Sequence, residues 1–258
     1  MPRIEIQREA NVITSVADAL ECSAQILEDL VVANRIAVDQ GLVDGFGHLS
    51  ARHDKYPERY LMTSEVAPGL VQANDVVAYD LESVPILDTG APLYWERFIH
   101  GEIYKARPDV HGIVHSHSLP LILLGTVNVK FQPVFHMASF LHVGIPTFDI
   151  HDAAGATDLM VRTPELGVAL AGSLADKPMV LMRGHGATIV GMSIKQAIWR
   201  SIYAMQNAQL QSEGMRFNKQ KFLYPDEAVV AAANITALER PWSFWRNRAL
   251  QNTGALDA

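Results

Sequence analysis

The segment "PMVLMRGHGATIVG", Pro178 to Gly191, constrains the fold more than any other stretch of this chain. Two apolar runs flank Arg-Gly-His-Gly, and Gly184 and Gly186 give the backbone the freedom to reverse between two adjacent strands. A chain that folds back in this way must hold an antiparallel pair. Directly after it, "SIKQAIWRSIYAMQNAQLQSEGM" opens with a serine placed to cap a helix and keeps helical spacing for several turns. Sheet and helix therefore alternate closely.

The alternation extends upstream. "VADALECSAQILEDLVVANRIAVDQ", Val16 to Gln40, has the apolar spacing of one amphipathic helix ended by Gly41. "GHLSARH" and "RYLMTS" alternate like hairpin strands. "PLYWERFIHGEIYKARPDV" reads as a helix with Pro92 near its start and Pro108 stopping it, and "GIVHSH" follows as a short strand. "FQPVF" and "VGIPTFDI" read as further strands, and "DLMVRTPELGVALAGSLAD" as helix. No repeat or low-complexity linker divides the 258 residues, and a hydrophobic content of 49% can fill one large core. The expectation is a single domain of sheet and helices, its core at 13–225, with 226–258 as a helical tail that packs only in part.

Charge narrows the partners. A net charge of −7, an isoelectric point near 5.8 and the lack of any basic run exclude a nucleic-acid or anionic-membrane footprint. A small anionic substrate must then be held by local arginines or a metal. The single cysteine, Cys22, rules out an intrachain disulfide and suits a reducing compartment. No apolar run approaches the roughly 18 residues of a membrane span, and the first residues carry charges where a secretory signal is apolar. A cytoplasmic protein is the expectation.

Chemistry concentrates in "HGIVHSHSLPL". Alternate residues of a strand share a face, so His115 and His117 look the same way and can grip one ion. Alone, such a pair equally suits a solvated strand face. His185, held between glycines in the later turn, offers a third imidazole, or a turn histidine bonded to a carbonyl. Three neutral ligands leave a dication its full charge and an open position, which a Lewis acid needs. Glu96, on the helix before the His-x-His strand, can serve as ligand, base or acid, or pair with Arg97 or Lys105.

Taken in order, "GHLSAR", "YWERFIHGEIYKARPDVHGIVHSHS" and "RGHGATIVG" resemble the class II aldolase and adducin-like family over roughly Ile13 to Ser212. The resemblance implies an α/β/α sandwich around a central, mainly antiparallel sheet. It also implies a homotetramer with active sites near subunit boundaries. Carried across residue by residue, it makes His115, His117 and His185 the ligands of one divalent ion per subunit. Glu96 becomes the proton-transfer group or a further ligand. Zinc or manganese come first as the ion, with iron and cobalt as alternatives.

Departures from the family pattern point to the substrate. Where sugar-phosphate aldolases of the family place small hydroxyl and amide donors around a phosphate, this chain has Gly47-His48, "TSEVAPG" and Tyr94-Trp95. "GHLSAR", "ERFIHGEIYKARPDV", "PVFHMASFL" and "PTFDI" look instead like the branch that decarboxylates hydroxylated aromatic or pyridine dicarboxylates. For such a substrate Tyr94 and Phe140 are candidate pocket walls, and Ser50, Arg52 and Arg183 candidate substrate contacts. His48 and His136 then bond substrate oxygens or shuttle a proton. Each also has a structural alternative, Arg52 for instance as a surface ion pair with Asp44 or Asp54. The expected activity is a metal-dependent lyase that decarboxylates a hydroxyaromatic carboxylate. Three rivals stand beside it: an aldolase of a nonphosphorylated hydroxy-keto acid, a three-histidine iron oxygenase and a noncatalytic scaffold.

Overall fold

The computed structural model describes residues 2–88, 90–217 and 221–253. Two helices, α1 (Pro2–Ala19) and α2 (Ala24–Asp39), precede a meander of three strands, β1 (His48–Arg52), β2 (Arg59–Thr63) and β3 (Val76–Asp80). Helix α3 (Arg97–Ala106) leads into β4 (Gly112–Ser116), and α4 (Leu119–Thr126) follows. A 3-10 segment (His136–Val143), β5 (Thr147–Phe148), α5 (Ile150–Ala154) and α6 (Pro164–Leu174) come next. The hairpin of β6 (Met179–Met182) and β7 (Gly186–Gly191) feeds α7 (Ile194–Arg216), and α8 (Pro225–Ala233) and α9 (Glu239–Thr253) complete the described chain.

The strands form one seven-stranded sheet in the order β3-β2-β1-β4-β7-β6-β5, antiparallel except for the β5–β6 pair. Its side chains alternate between two cores, as strand geometry requires. Leu49, Leu61, Val114 and Ile189 pack with α2, α7 and α9 on one face, while Tyr60, Ile113, Val180 and Val190 pack with α3 and α6 on the other. The mostly antiparallel sheet between helical layers agrees with the expected sandwich.

Register positions the chemistry. His48 pairs with His115, and His115 with Thr188, so three polar residues lie in one cross-strand row. By alternation with Leu49, Val114 and Ile189, that row faces α3. Helix α3 answers with Glu96 at its N-cap and with His100 and Tyr104 at intervals of four, the spacing that keeps side chains on one face.

Several local expectations fail for physical reasons. The helix read through Val16–Gln40 is broken, because Glu21 adopts a left-handed φ of 58° and the Ser23 side chain caps a new helix by accepting from the Ile26 N–H. "FQPVF" forms no strand. Its Gln132 and Val134 amides donate to the Gln211 and Asn207 side chains, so α7 satisfies the backbone that a sheet would otherwise pair. In "VGIPTFDI" the strand is only Thr147–Phe148. Helix α6 starts at Pro164 behind its Thr163 cap, leaving 158–162 as loop. In the tail, Trp242 and Trp245 are buried whereas Phe244 is exposed, so α9 docks by one face.

Candidate metal centre

Two strands and a turn aim three imidazoles at one point. His115 lies within β4, which is buried throughout, and His117 follows just past the strand's end. His185 sits between β6 and β7, its amide donating to the Met182 carbonyl, with Gly184 at a φ of 68°. At Gly186 a Cβ would stand 2.2 Å from the Ser116 carbonyl oxygen, so only glycine lets the turn close on the His-x-His strand. The Nε2 atoms of His115 and His117 are 3.0 Å apart, those of His115 and His185 3.2 Å, and those of His117 and His185 3.1 Å.

Such a triangle fits an ion. Ligands about 2.0–2.1 Å from a tetrahedral metal are separated by roughly 3.3–3.4 Å, close to the observed edges. The remaining ring nitrogens are anchored. His185 Nδ1 lies 2.7 Å from the Leu159 carbonyl oxygen, which only accepts, so a neutral ring carries its proton there and turns the Nε2 lone pair inward. His115 Nδ1 meets Thr188 Oγ1 at 3.2 Å.

Glu96 completes the group. Its Oε2 is 3.5 Å from His185 Nε2 and 3.7 Å from His115 Nε2, while Oε1 accepts from the Val161 N–H at 2.9 Å. Burial pushes this carboxyl's pKa up, but the nearby His185 and His48 rings and the field of His115 outweigh it and hold it well below the usual carboxylate range. Burial, aided by neighbouring imidazoles, lowers His117 to about 4. His115 is driven well below its ordinary value by the same desolvation, which Glu96 opposes. For His185 burial also disfavours the charged ring, yet its bond with Glu96 prevails and the pKa is raised. Imidazole lone pairs beside an ionised carboxylate form a donor set for a divalent cation.

A cavity of about 440 Å³ opens beside the cluster, walled by Phe46, Tyr94, Trp95 and Met160 and reached by His48, Glu96 and His117. The larger cavity of about 540 Å³, around Lys130, Lys177 and Leu223, includes none of the cluster residues. His48 stacks on His115 with ring centroids 4.7 Å apart, and Tyr94 is 5.0 Å from His48. The Tyr94 hydroxyl donates to the Val66 carbonyl, so its ring forms the wall while its O–H is engaged elsewhere.

Other sequence-derived candidates lie apart in this chain. The Arg52 guanidinium donates to the carbonyls of Val110, Pro57, Tyr104 and Arg107 and lies 4.7 Å from the Tyr104 ring centroid. It staples the α3–β4 connection to β1 and has no free edge for a carboxylate. Ser50 is fully buried behind His48, bonded to His100 and Tyr104. Arg183 points to solvent and pairs with Asp149. Phe140 packs on Trp199 in the opposite core, and His136 is exposed at the start of the 3-10 segment. Conversely, His100, Tyr104, Phe46 and Met160 escaped notice. The four-residue spacing Glu96–His100–Tyr104 was the available signal for the first two.

Known proteins resemble this chain in sequence and fold. Decarboxylase tropJ from Talaromyces stipitatus is 31% identical over 229 residues, 79% of this chain and 86% of the relative. The 3,4-dihydroxyphthalate decarboxylase of Arthrobacter keyseri is 27% identical over 190 residues, 68% of this chain and 73% of that protein. An aldolase II superfamily protein from Pseudomonas syringae shares the fold, with a TM-score of 0.76 at 19% identity over 88% of this chain and 93% of its own. The Class II Aldolase and Adducin N-terminal domain profile matches residues 28–212, and the chain belongs to that family.

Proposed function

We propose that this protein is a divalent-metal-dependent decarboxylase of a hydroxylated aromatic carboxylate. The observation that carries the reading is the three-imidazole triangle with its ionised Glu96, opening onto a cavity with aromatic walls. The names of the Talaromyces and Arthrobacter relatives support it.

His115, His117 and His185 would hold the ion. When bound, it supplies a Lewis acid that favours the ionised form of a ring hydroxyl and stabilises negative charge on that oxygen. Tyr94, Trp95 and Phe46 give the ring flat apolar surfaces. Glu96, ionised at rest, takes the proton of the ring hydroxyl and returns it to the ring carbon that bears the carboxylate. That carbon becomes tetrahedral and the neighbouring ring oxygen becomes a ketone, so the carboxylate is β to a carbonyl. The carbon–carbon bond then breaks and carbon dioxide leaves. Its electron pair restores the aromatic ring, with the charge on the phenolate oxygen, which takes a proton from solvent.

A phosphosugar fits poorly, because the described lining of the cavity sets the carboxylates of Glu65 and Glu96 and the bulky rings of Phe46, Tyr94 and Trp95 where a phosphate needs small hydroxyl and amide donors. The ion that His115, His117 and His185 would hold supplies the positive charge a small carboxylate substrate needs. In solution we expect the homotetramer that the family resemblance implies, a state that light scattering can read. No helix among the described residues is long and apolar enough to cross a membrane.

Elemental analysis followed by anaerobic carbon dioxide release from 3,4-dihydroxyphthalate tests the proposal. Release without oxygen, without an aldehyde product, and reduced at least about 10³-fold together with bound metal in His115→Ala is the expected result. Full release from metal-free protein, or a strict need for oxygen, overturns it.

A further inference from the structure

Behind the cluster a buried chain of polar atoms runs from the cavity into the core. His48 Nδ1 lies 2.7 Å from His100 Nε2, His100 Nδ1 lies 2.6 Å from Ser50 Oγ, and Ser50 Oγ lies 2.9 Å from the Tyr104 hydroxyl. At the cavity end, His48 Nε2 is buried with no hydrogen-bond partner, and Glu96 Oε2 stands 3.8 Å away, beyond hydrogen-bond reach. An unpaired buried polar atom aimed into a cavity calls for a ligand.

The neutral His100 ring can orient this chain in two directions. In the first, Tyr104 donates to Ser50, Ser50 to His100 Nδ1, and His100 Nε2–H to His48 Nδ1, which leaves the His48 proton on Nε2. In the second, every donor is reversed. His48 then turns a lone pair toward the cavity, and one of the two hydroxyls, Tyr104 or Ser50, whose hydrogen-bond partners among the described residues are only each other and His100, has nothing left to donate to. The reversed order also sets that lone pair against the Glu96 carboxylate, whereas the first order sets an N–H there. Burial keeps His100 neutral and raises the Tyr104 hydroxyl above its ordinary range, so each ring retains the donor and acceptor that the chain requires.

We propose that His48 carries its proton on Nε2 and offers it into the cavity to a substrate oxygen, with His100, Ser50 and Tyr104 as positioning residues that set this tautomer. The substrate oxygen rests on the decarboxylase reading, whereas the tautomer does not. The cavity then presents a fixed donor, His48, beside a fixed acceptor, Glu96, and favours ring substituents whose oxygens have lone pairs to give.

Long-range proton–nitrogen correlation spectra of the zinc-loaded, nitrogen-15-labelled protein test the assignment without substrate, with His48→Gln identifying the His48 signals. The expected spectrum has a pyrrole-type Nε2 and a pyridine-type Nδ1. His100→Leu removes the donor to Nδ1. It should mix the His48 tautomers and lower kcat/KM about 10–100-fold with zinc content unchanged, while His100→Gln, whose amide can donate to the same atom, restores both. A protonated Nδ1 in the unaltered protein overturns the proposal, as does a His100→Leu variant with unchanged spectrum and kinetics. If that variant does not fold, the unaltered protein's spectrum decides alone. Should decarboxylation itself not be found, the His48 spectrum still answers the tautomer question.

Discussion

The floor and the rim of the cavity are built on opposite principles. On the floor, His115 is fully buried on a strand paired on both sides, and the second nitrogens of His115 and His185 are held by Thr188 and Leu159. At the rim, Phe46 is 73% exposed and Trp95 56% exposed, each outside regular structure. The Phe46 loop is shaped chiefly by its amide donating to Asp44 Oδ1 at 2.9 Å. Groups that must meet an ion to within tenths of an ångström stand on the sheet or at the ends of elements packed against it. Groups that only cover a ring stand on loops, where a change of side chain leaves the sheet intact. The family's fold can therefore keep one floor and vary the rim.

The difference is testable by asking which kinetic constant each part controls. On the floor, Glu96→Gln keeps the shape and the bond from the Val161 amide but removes the proton acceptor. It should lower kcat by about 10²–10³-fold with KM nearly unchanged, measured by steady-state carbon dioxide release. Because His115, His117 and His185 supply the imidazoles of the cluster, bound metal should persist. Loss of the ion would recast Glu96 as an indispensable ligand and move it from chemistry to scaffold.

A smaller effect concerns acid. His115 and His117 are neutral throughout the ordinary range, His117 lowered to about 4, whereas Glu96 raises His185 above its usual 6.5. A cation needs the His185 Nε2 lone pair, so binding near or below that raised value displaces a proton from the ring. Affinity should fall as pH drops through the raised His185 value, by at most about tenfold per unit, and level off above it. Calorimetric titration of metal-free protein in two buffers of different ionisation enthalpy counts the proton released. A count of zero at pH 6.5 would contradict the assigned coupling between Glu96 and His185.

Floor and rim also differed in how far the sequence revealed them. The hairpin around His185 and the His-x-His strand were legible because strand periodicity and glycine stereochemistry are local properties. The convergence of the imidazoles followed once register was known. The arginines stayed open between substrate and structural roles because a charge in sequence does not disclose its partner. Arg52 spends its donors on four carbonyls brought together only by the fold, and Arg183 meets Asp149 across thirty-four positions. "FQPVF" had strand composition, yet Asn207 and Gln211 on a distant helix took its amides. His100 could have been found, since it stands four residues from Glu96 on one helix face. Phe46 and Met160 could not, because no periodicity connects one loop to another.

The rim provides the smallest and most discriminating change. Trp95 lies over the cavity with the Arg162 guanidinium 4.6 Å from its ring centroid, and none of its atoms is part of the ion-binding group. Removing the ring in Trp95→Ala deletes apolar surface that a flat substrate covers equally in its ground and transition states. Such uniform binding is worth about 1–2 kcal/mol for part of an aromatic contact, or roughly tenfold in KM, with kcat within about twofold. Trp95→Phe should recover most of the loss, and metal content should match the unaltered protein in both. If kcat fell as far as kcat/KM, the ring would be acting only in the transition state. The division between a rim that selects and a floor that reacts would then have to be redrawn with Trp95 on the reacting side.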